Sequence, residues 1–273
     1  MQVRKRFGQH FLHDPSVIRR IIDSIAPKRQ DRVIEIGPGR GAITWPLLQM
    51  LDSLEVIEID RDLAALLRDD ARGADKLQVH VKDALRMDFT ALRGSGPPLR
   101  IVGNLPYNIS TPLMFHLLEH RAAIADMHFM LQKEVVDRIV AAPGGKDYGR
   151  LGVMLAVHAQ ATRLFDVGRG SFKPAPKVTS SVLRLQPAIQ ARLEGMHDLG
   201  DDADAALKRV VLAAFSQRRK TLRNSLQALL DVQEIVDCGI DPQWRPEVLA
   251  PAQFVQLAAR LLLNGKSTAA PCP

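Results

Sequence analysis

Four consecutive residues, Asn104-Leu105-Pro106-Tyr107, are the part of this sequence best suited to chemistry on a flat, electron-rich ring. An exocyclic amine such as adenine N6 is a poor nucleophile, because its lone pair is delocalised into the ring. Hydrogen bonds accepted from its two N–H groups favour a more tetrahedral nitrogen and free that pair. The Asn104 side-chain oxygen and the Leu105 backbone carbonyl, stiffened by Pro106, would be the two acceptors, and Tyr107 would offer the base a face to stack on. A methyl group could then move by in-line displacement from a sulfonium, already a good leaving group. Positioning and electrostatics suffice for that step, with no metal and no strong general base. The structural reading of the same stretch is a strand-to-helix turn, in which Pro106 stops a strand, Thr111 caps the next helix and Pro112 opens it.

A methyl donor would have to lie beside this tetrapeptide, and the sequence carries a candidate site for one. Val33-Ile34-Glu35-Ile36 runs into Gly37-Pro38-Gly39-Arg40-Gly41, followed by a helical pattern. Glycines let such a turn close tightly and let backbone approach a ligand lying across the end of the strand. Roughly 20 residues on, Glu58 ends the next strand and is placed to accept hydrogen bonds from ribose hydroxyls. The same glycines also fit the dinucleotide form G-x-G-x-x-A, with Ala42 last, so a nicotinamide oxidoreductase is a rival. Two features oppose it. Asp83, after a third strand, can bind the exocyclic amine of a cofactor adenine, although alone it reads as a helix cap. No His, Lys or Tyr suited to the acid–base work of hydride transfer stands out.

These residues need a frame that brings strand ends together. Strands are predicted over Arg32–Ile36, Glu55–Ile59, Leu77–Val81, Leu99–Gly103, Met127–Leu131, Val153–Ala159 and Ser181–Leu185, and helices over Ala42–Leu51, Arg61–Arg72, Pro112–Leu118 and Lys133–Ala141. An earlier helix starts at Asp14-Pro15, an N-cap followed by Pro in the first turn. The alternation implies an α/β fold, a mainly parallel seven-stranded sheet with helices on both faces. After Leu185 the pattern turns helical, which sets residues 1–185 as a catalytic domain and 186–273 as a small all-α domain. The chain of 273 residues has a formal charge of +7. Residues 1–185 hold 27 Lys and Arg against 20 Asp and Glu, and the remainder holds 10 of each, so the excess lies with the chemistry. Such a balance favours a polyanionic partner, nucleic acid above all. Two unclustered cysteines, Cys238 and Cys272, and the absence of a long apolar run point to a cytoplasmic location, without a membrane.

Four motifs occur in order: Phe7-Gly8-Gln9-His10-Phe11-Leu12, Glu35-Ile36-Gly37-Pro38-Gly39, Asn104-Leu105-Pro106-Tyr107-Asn108-Ile109-Ser110 and Phe172-Lys173-Pro174-Ala175-Pro176-Lys177-Val178. On these, from about Arg6 to about Leu230, the chain resembles the family of ribosomal RNA small-subunit adenine N6,N6-dimethyltransferases. The resemblance implies a class I methyltransferase (Rossmann-like) sheet and S-adenosyl-L-methionine as donor, with S-adenosylhomocysteine as product. It implies transfer of two methyls to each of two adjacent adenosines, in the loop of the 3′-terminal hairpin of 16S rRNA. The partner is then the assembling small (30S) ribosomal subunit, with a role in its biogenesis, and the enzyme is expected to be a monomer.

Carried over residue by residue, His10 and Leu12 would line the methionine end of the cofactor, His10 standing where Asn is commoner. Gly37 and Gly39 would approach the cofactor backbone, Glu58 the ribose and Asp83 the adenine. Asn104 would touch both cofactor and target amine. Phe172, which alone reads as core, would cover the second face of the flipped base. Lys173 and Lys177 suit phosphate contacts, and Ala175 stands where Pro is commoner. In the helical domain the basic cluster Arg218, Arg219, Lys220 and Arg223 reads as a solvated helix face or an RNA contact, and the resemblance favours RNA. Two rivals remain: a large-subunit (23S) adenine methyltransferase of the macrolide-resistance type, in which Ile more often stands at the position of Leu105, and a non-catalytic ribosome-assembly factor.

Overall fold

The computed structural model describes residues 10–73, 75–106, 109–188, 202–217 and 219–267. Two short strands, β1 (Phe11–Leu12) and β8 (Phe172–Lys173), pair antiparallel as a ribbon of their own. Seven others form one sheet: β2 (Val33–Ile36), β3 (Leu54–Ile57), β4 (Leu77–His80), β5 (Leu99–Asn104), β6 (Ile124–Gln132), β7 (Ala159–Val167) and β9 (Ser180–Pro187), in the order β4-β3-β2-β5-β6-β9-β7. The pairings from β4 through to β6 are parallel, and β9 runs antiparallel to β6. All four residues of β2 are buried, as expected for a strand covered on both faces. The chain winds outward from β2 to β3 and β4 on one side and to β5 and β6 on the other. That reversal opens a crevice at the carboxyl ends of β2 and β5, where open α/β sheets bind ligands.

Helix α1 (Pro15–Ile25) starts as its sequence predicts, with the Asp14 carboxylate accepting from Ser16 N at 2.9 Å. It buries Val17, Ile21, Ile22 and Ile25, one face at helical spacing, in a core shared with Val33, Val102, Met130 and Val182. At its other end Arg100 of β5 donates to the Ile25 carbonyl at 2.7 Å and to the Asp31 and Asp126 carboxylates, both at 2.7 Å. The last carbonyls of a helix lack intrahelical partners, so this guanidinium satisfies one while tying α1 to the strand that ends in Asn104. Helices α2 (Thr44–Met50), α3 (Arg61–Arg68), α4 (Phe89–Arg93) and α5 (Ser110–Glu119) connect the parallel strands.

By its own contacts the chain separates into two compact units. The first runs up to Val136 and resumes over Ala161–Pro187; the second takes Asp137–Gln160 and the chain from Ala188 onward. Residues 137–160 thus group with the C-terminal helices, whereas the division expected at residue 186 puts them with the sheet. They include the end of α6 (Lys133–Val140) and α7 (Arg150–His158). Helix α7 corrects the strand expected over Val153–Ala159. Its apolar run hides the helical period because Val153, Leu155 and Val157 are all fully buried, and Gly152 lets α7 approach the Arg138 carbonyl, where a Cβ would come within 2.7 Å. The second unit also holds α8 (Ala203–Ala214), α9 (Leu222–Ser225), α10 (Val232–Asp237) and α11 (Pro251–Ser267), around a core that includes Leu207, Val210, Leu226, Phe254 and Leu257. Among the described residues no helix is long and apolar enough to cross a membrane.

Candidate active site

A cavity of about 310 Å³ opens at the carboxyl ends of β2, β3 and β5, within the range of small-molecule sites. Its walls include His10, Leu12, Gly37, Gly39, Glu58, Asp83, Asn104, Leu105, Pro106 and Phe172, so residues spread over the first 172 positions converge on one space.

The glycine turn forms the floor. Gly37 and Gly39 hold φ of +68° and +57°, a region L side chains rarely enter, and Gly37 N donates to the Ile57 carbonyl at 2.9 Å. Crowding is not the reason at Gly37, since an added Cβ would meet nothing nearer than the Asn104 carbonyl at 3.8 Å. Glu58 follows β3 and is buried. One of its oxygens accepts from Asp60 N at 2.9 Å and the other from Gly39 N at 3.2 Å, so the carboxylate itself holds the turn. Burial pushes its pKa up, against the lowering effect of those two backbone donors. Glu35 of β2 lies deeper, accepting from the Thr44 hydroxyl at 2.6 Å. Burial raises its pKa to about 7, and the neighbouring charge of Glu58 adds to the rise.

Asp83 caps the short helical turn Ala84–Arg86, accepting from Leu85 N at 3.0 Å, and also lines the cavity. The cap and the cavity position therefore coexist. At the end of β5, Asn104 Nδ2 donates to the His10 carbonyl at 3.2 Å. A carbonyl can only accept, which assigns the amide nitrogen to that bond and leaves Oδ1 as the acceptor end. Leu105 is buried and donates its N–H to the Met130 carbonyl at 3.2 Å. The Pro106 carbonyl accepts from Ile109 N at 3.2 Å, so the turn winds directly into α5. That helix begins at Ser110 with Ile109 in the capping position and no side-chain cap, which corrects the expected cap at Thr111. Tyr107 lies outside the described residues, as does Arg218.

The β1–β8 ribbon closes the far wall. Leu12 faces Phe172 in register and both are buried, while Phe11 faces Lys173. His10 Nδ1 donates to the Pro174 carbonyl at 2.8 Å, and the Ser171 hydroxyl donates to Asp14 at 3.1 Å. The segment ahead of α1 is thereby strapped to the loop that carries Phe172. Lys173 and Lys177 are exposed in the first unit; Arg219, Lys220 and Arg223 are exposed in the second, and none of the five lines the cavity. Sequence reasoning missed Phe11, Arg40 and Ile59 as lining residues and did not pair Glu35 with Thr44. The period-2 alternation of Phe11 against Leu12 is a signal too short to read alone.

A family model for ribosomal RNA adenine dimethylases matches residues 1–262. Among curated proteins, the chain is 52% identical over 260 residues to ribosomal RNA small subunit methyltransferase A of Pseudomonas aeruginosa, covering 95% of each. It is 54% identical over 256 residues to the protein of that name from Aromatoleum aromaticum, covering 94% of this chain and 93% of the relative. Among solved structures, a dimethyladenosine transferase from Plasmodium falciparum superposes with a TM-score of 0.77 at 26% identity, over 91% of this chain and 96% of the other. The 23S rRNA methyltransferase ErmE gives 0.69 at 28% identity, over 92% of this chain and 99% of the other. Both likenesses extend over nearly the whole chain, sheet and helical region alike.

Proposed function

The chain belongs to the ribosomal RNA adenine dimethylase family, and on that footing we propose that it moves methyl groups from S-adenosylmethionine to N6 of two adjacent adenosines in the 3′-terminal hairpin loop of 16S rRNA. Its partner is the assembling small ribosomal subunit, and it acts as a cytoplasmic monomer. One observation carries this reading. The acceptor-bearing residues Asn104 and Leu105 share a cavity with a glycine turn and the carboxylates of Glu58 and Asp83, and Phe172 forms part of its wall. The large-subunit and non-catalytic alternatives are not favoured, since relatives above half identity bear the small-subunit name.

The cavity suits this donor. The positive φ at Gly37 and Gly39 bares backbone to a ligand, and the carboxylates of Glu58 and Asp83 offer acceptors for a donor's hydroxyl and amine groups. Gly37 and Gly39 would flank the donor's backbone, Glu58 its ribose, Asp83 its adenine, and His10 and Leu12 its methionine end. When bound, S-adenosylmethionine supplies a methyl group on a sulfonium, with S-adenosylhomocysteine as the product. Asn104 Oδ1 and the Leu105 carbonyl accept the two N–H bonds of the target amine and draw it toward tetrahedral geometry. Those bonds strengthen as charge develops on nitrogen, so they act on the transition state more than on the bound base. Phe172 stacks on the flipped base and Leu12 excludes water beside it. Lys173, Lys177 and the second unit's Arg219, Lys220 and Arg223 would neutralise phosphates, which sets position without reading sequence. The test is to incubate the protein with labelled S-adenosylmethionine and separated, unmethylated ribosomal subunits and map the label. Dimethylated adjacent adenosines in the small subunit are expected; label confined to the large subunit would overturn the reading.

A further inference from the structure

Arg40 has no place in the chemistry so far, yet its setting is unusual. Its guanidinium lies over the Phe11 ring, 4.5 Å from the centroid. Phe11 in turn packs on the turn below, so that a Cβ at Gly39 would stand 3.3 Å from the ring edge. Lys173 sits opposite Phe11 in the ribbon. Directly opposed residues of an antiparallel pair share a face, so Phe11 and Lys173 project from one side of the ribbon, while Leu12 and Phe172 project from the other, buried side. Neither the Arg40 nor the Lys173 side chain forms a hydrogen bond or ion pair with any described residue, and both residues are exposed.

A guanidinium held over an aromatic ring is restrained in place while its N–H donors stay available to an anion, and a phosphate can accept from two of them. Location selects the anion. Glu58 is buried, and Gly37, Asp83 and Asn104 are half-buried, whereas Arg40 is exposed although it lines the same cavity. It therefore lies at the rim, as the exposed lining residues Lys82 and Ile59 also do, but beside the ribbon that carries Phe172, where the backbone of a target strand would pass when its base is turned inward. We propose that Arg40, held on Phe11 and flanked by Lys173, binds the phosphate beside the target adenosine and so sets the depth to which that base enters. This rests on the function proposed above and adds a subsite to it.

The probe is the unmethylated small ribosomal subunit, with binding measured across a salt series for wild type, R40Q and R40K. R40Q removes one phosphate contact from single-stranded RNA, so the slope of log K against log salt should flatten by about 0.7, which is roughly a fourfold loss of affinity at about 0.15 M salt. R40K keeps the charge and should restore the slope. Affinity for S-adenosylmethionine alone, measured by calorimetry, should not weaken in either variant. A weakened cofactor affinity in R40Q with an unchanged salt slope would make Arg40 a clamp for the cofactor's carboxylate and overturn the proposal. No change in either quantity would make the stack a solvated surface and overturn it as well. Wild-type protein that neither binds nor methylates the subunits would remove the function and this subsite together, whereas an unchanged R40Q slope beside an active wild type removes the subsite alone.

Discussion

Replacing Glu58 by Gln keeps the side chain's size and removes its ability to accept at both ends. The native carboxylate takes Asp60 N at 2.9 Å on one oxygen and Gly39 N at 3.2 Å on the other. A glutamine has one oxygen, so its NH2 group must confront one of those two donors. The longer bond, to Gly39, is the one expected to be given up, which frees the turn at the floor of the cavity. A part-buried donor left without an acceptor costs at most the about 1–3 kcal/mol of a buried one, and any ribose bond to the charged group is lost as well. Part of that cost falls on the free protein, so we expect cofactor affinity to drop by about 1–3 kcal/mol, or about five- to 150-fold. Calorimetry with S-adenosylmethionine measures it, and a thermal melt shows that the variant is folded. Because burial raises the Glu58 pKa, ionisation comes above the ordinary carboxylate range, and wild-type affinity should climb with pH through that step. Glu58→Gln should not follow the climb. A folded variant that binds the cofactor as tightly as wild type, with the same pH dependence, would refute the assignment of Glu58.

Glu35 gives a stability test. Its pKa rises from 4.5 to about 7 on folding, so its contribution is fully present below the unfolded value and is lost as pH climbs through about 7. The span corresponds to about 3 kcal/mol, and Glu35→Gln should flatten that decline in urea denaturation of cofactor-free protein between about pH 4 and pH 8; an unchanged slope would show that other groups set it. For the second unit, replacing Arg219, Lys220 and Arg223 together by Ala should flatten the salt dependence of subunit binding by roughly 0.7–0.9 per lost phosphate contact. If the slope holds, these exposed cations are merely solvated.

The glycine-turn side of the cavity was legible because it rests on local rules. A buried strand, a glycine turn and a carboxylate one strand later are fixed by short-range geometry, and Gly37, Glu58 and Asp83 do converge on the cavity. The helix at Pro15 was legible for the same reason, since Asp14 caps it. Tertiary burial hid other parts. Helix α7 reads as a strand because Val153, Leu155 and Val157 are enclosed, leaving no polar face to reveal its period. Strand β7 was missed because it lies at the end of the sheet order, where half-buried positions such as Arg163 and Thr162 break the alternation. The β1–β8 ribbon has two residues a side and joins positions about 160 apart, so no local pattern can announce it. Yet that ribbon brings Phe172 to Leu12 and sets Phe11 under Arg40. The pairing of Asn104 with His10 depends on the same long-range contact.

The central claim is that Asn104 acts on the reacting nitrogen, and single-turnover methylation by Asn104→Ala tests it most directly. Subunit affinity is measured on the same folded variant. Losing an acceptor whose bond strengthens only as the amine becomes tetrahedral should slow methyl transfer by at least about a hundredfold, equal to roughly 2.7 kcal/mol. Affinity for the subunit should change little, because contacts to phosphate dominate it. Because Asn104 also holds the His10 carbonyl at 3.2 Å, cofactor affinity is measured alongside and the reaction is run with the donor saturating. A variant that binds subunits poorly but transfers methyl at the wild-type rate once saturated would contradict the claim and make Asn104 a docking residue.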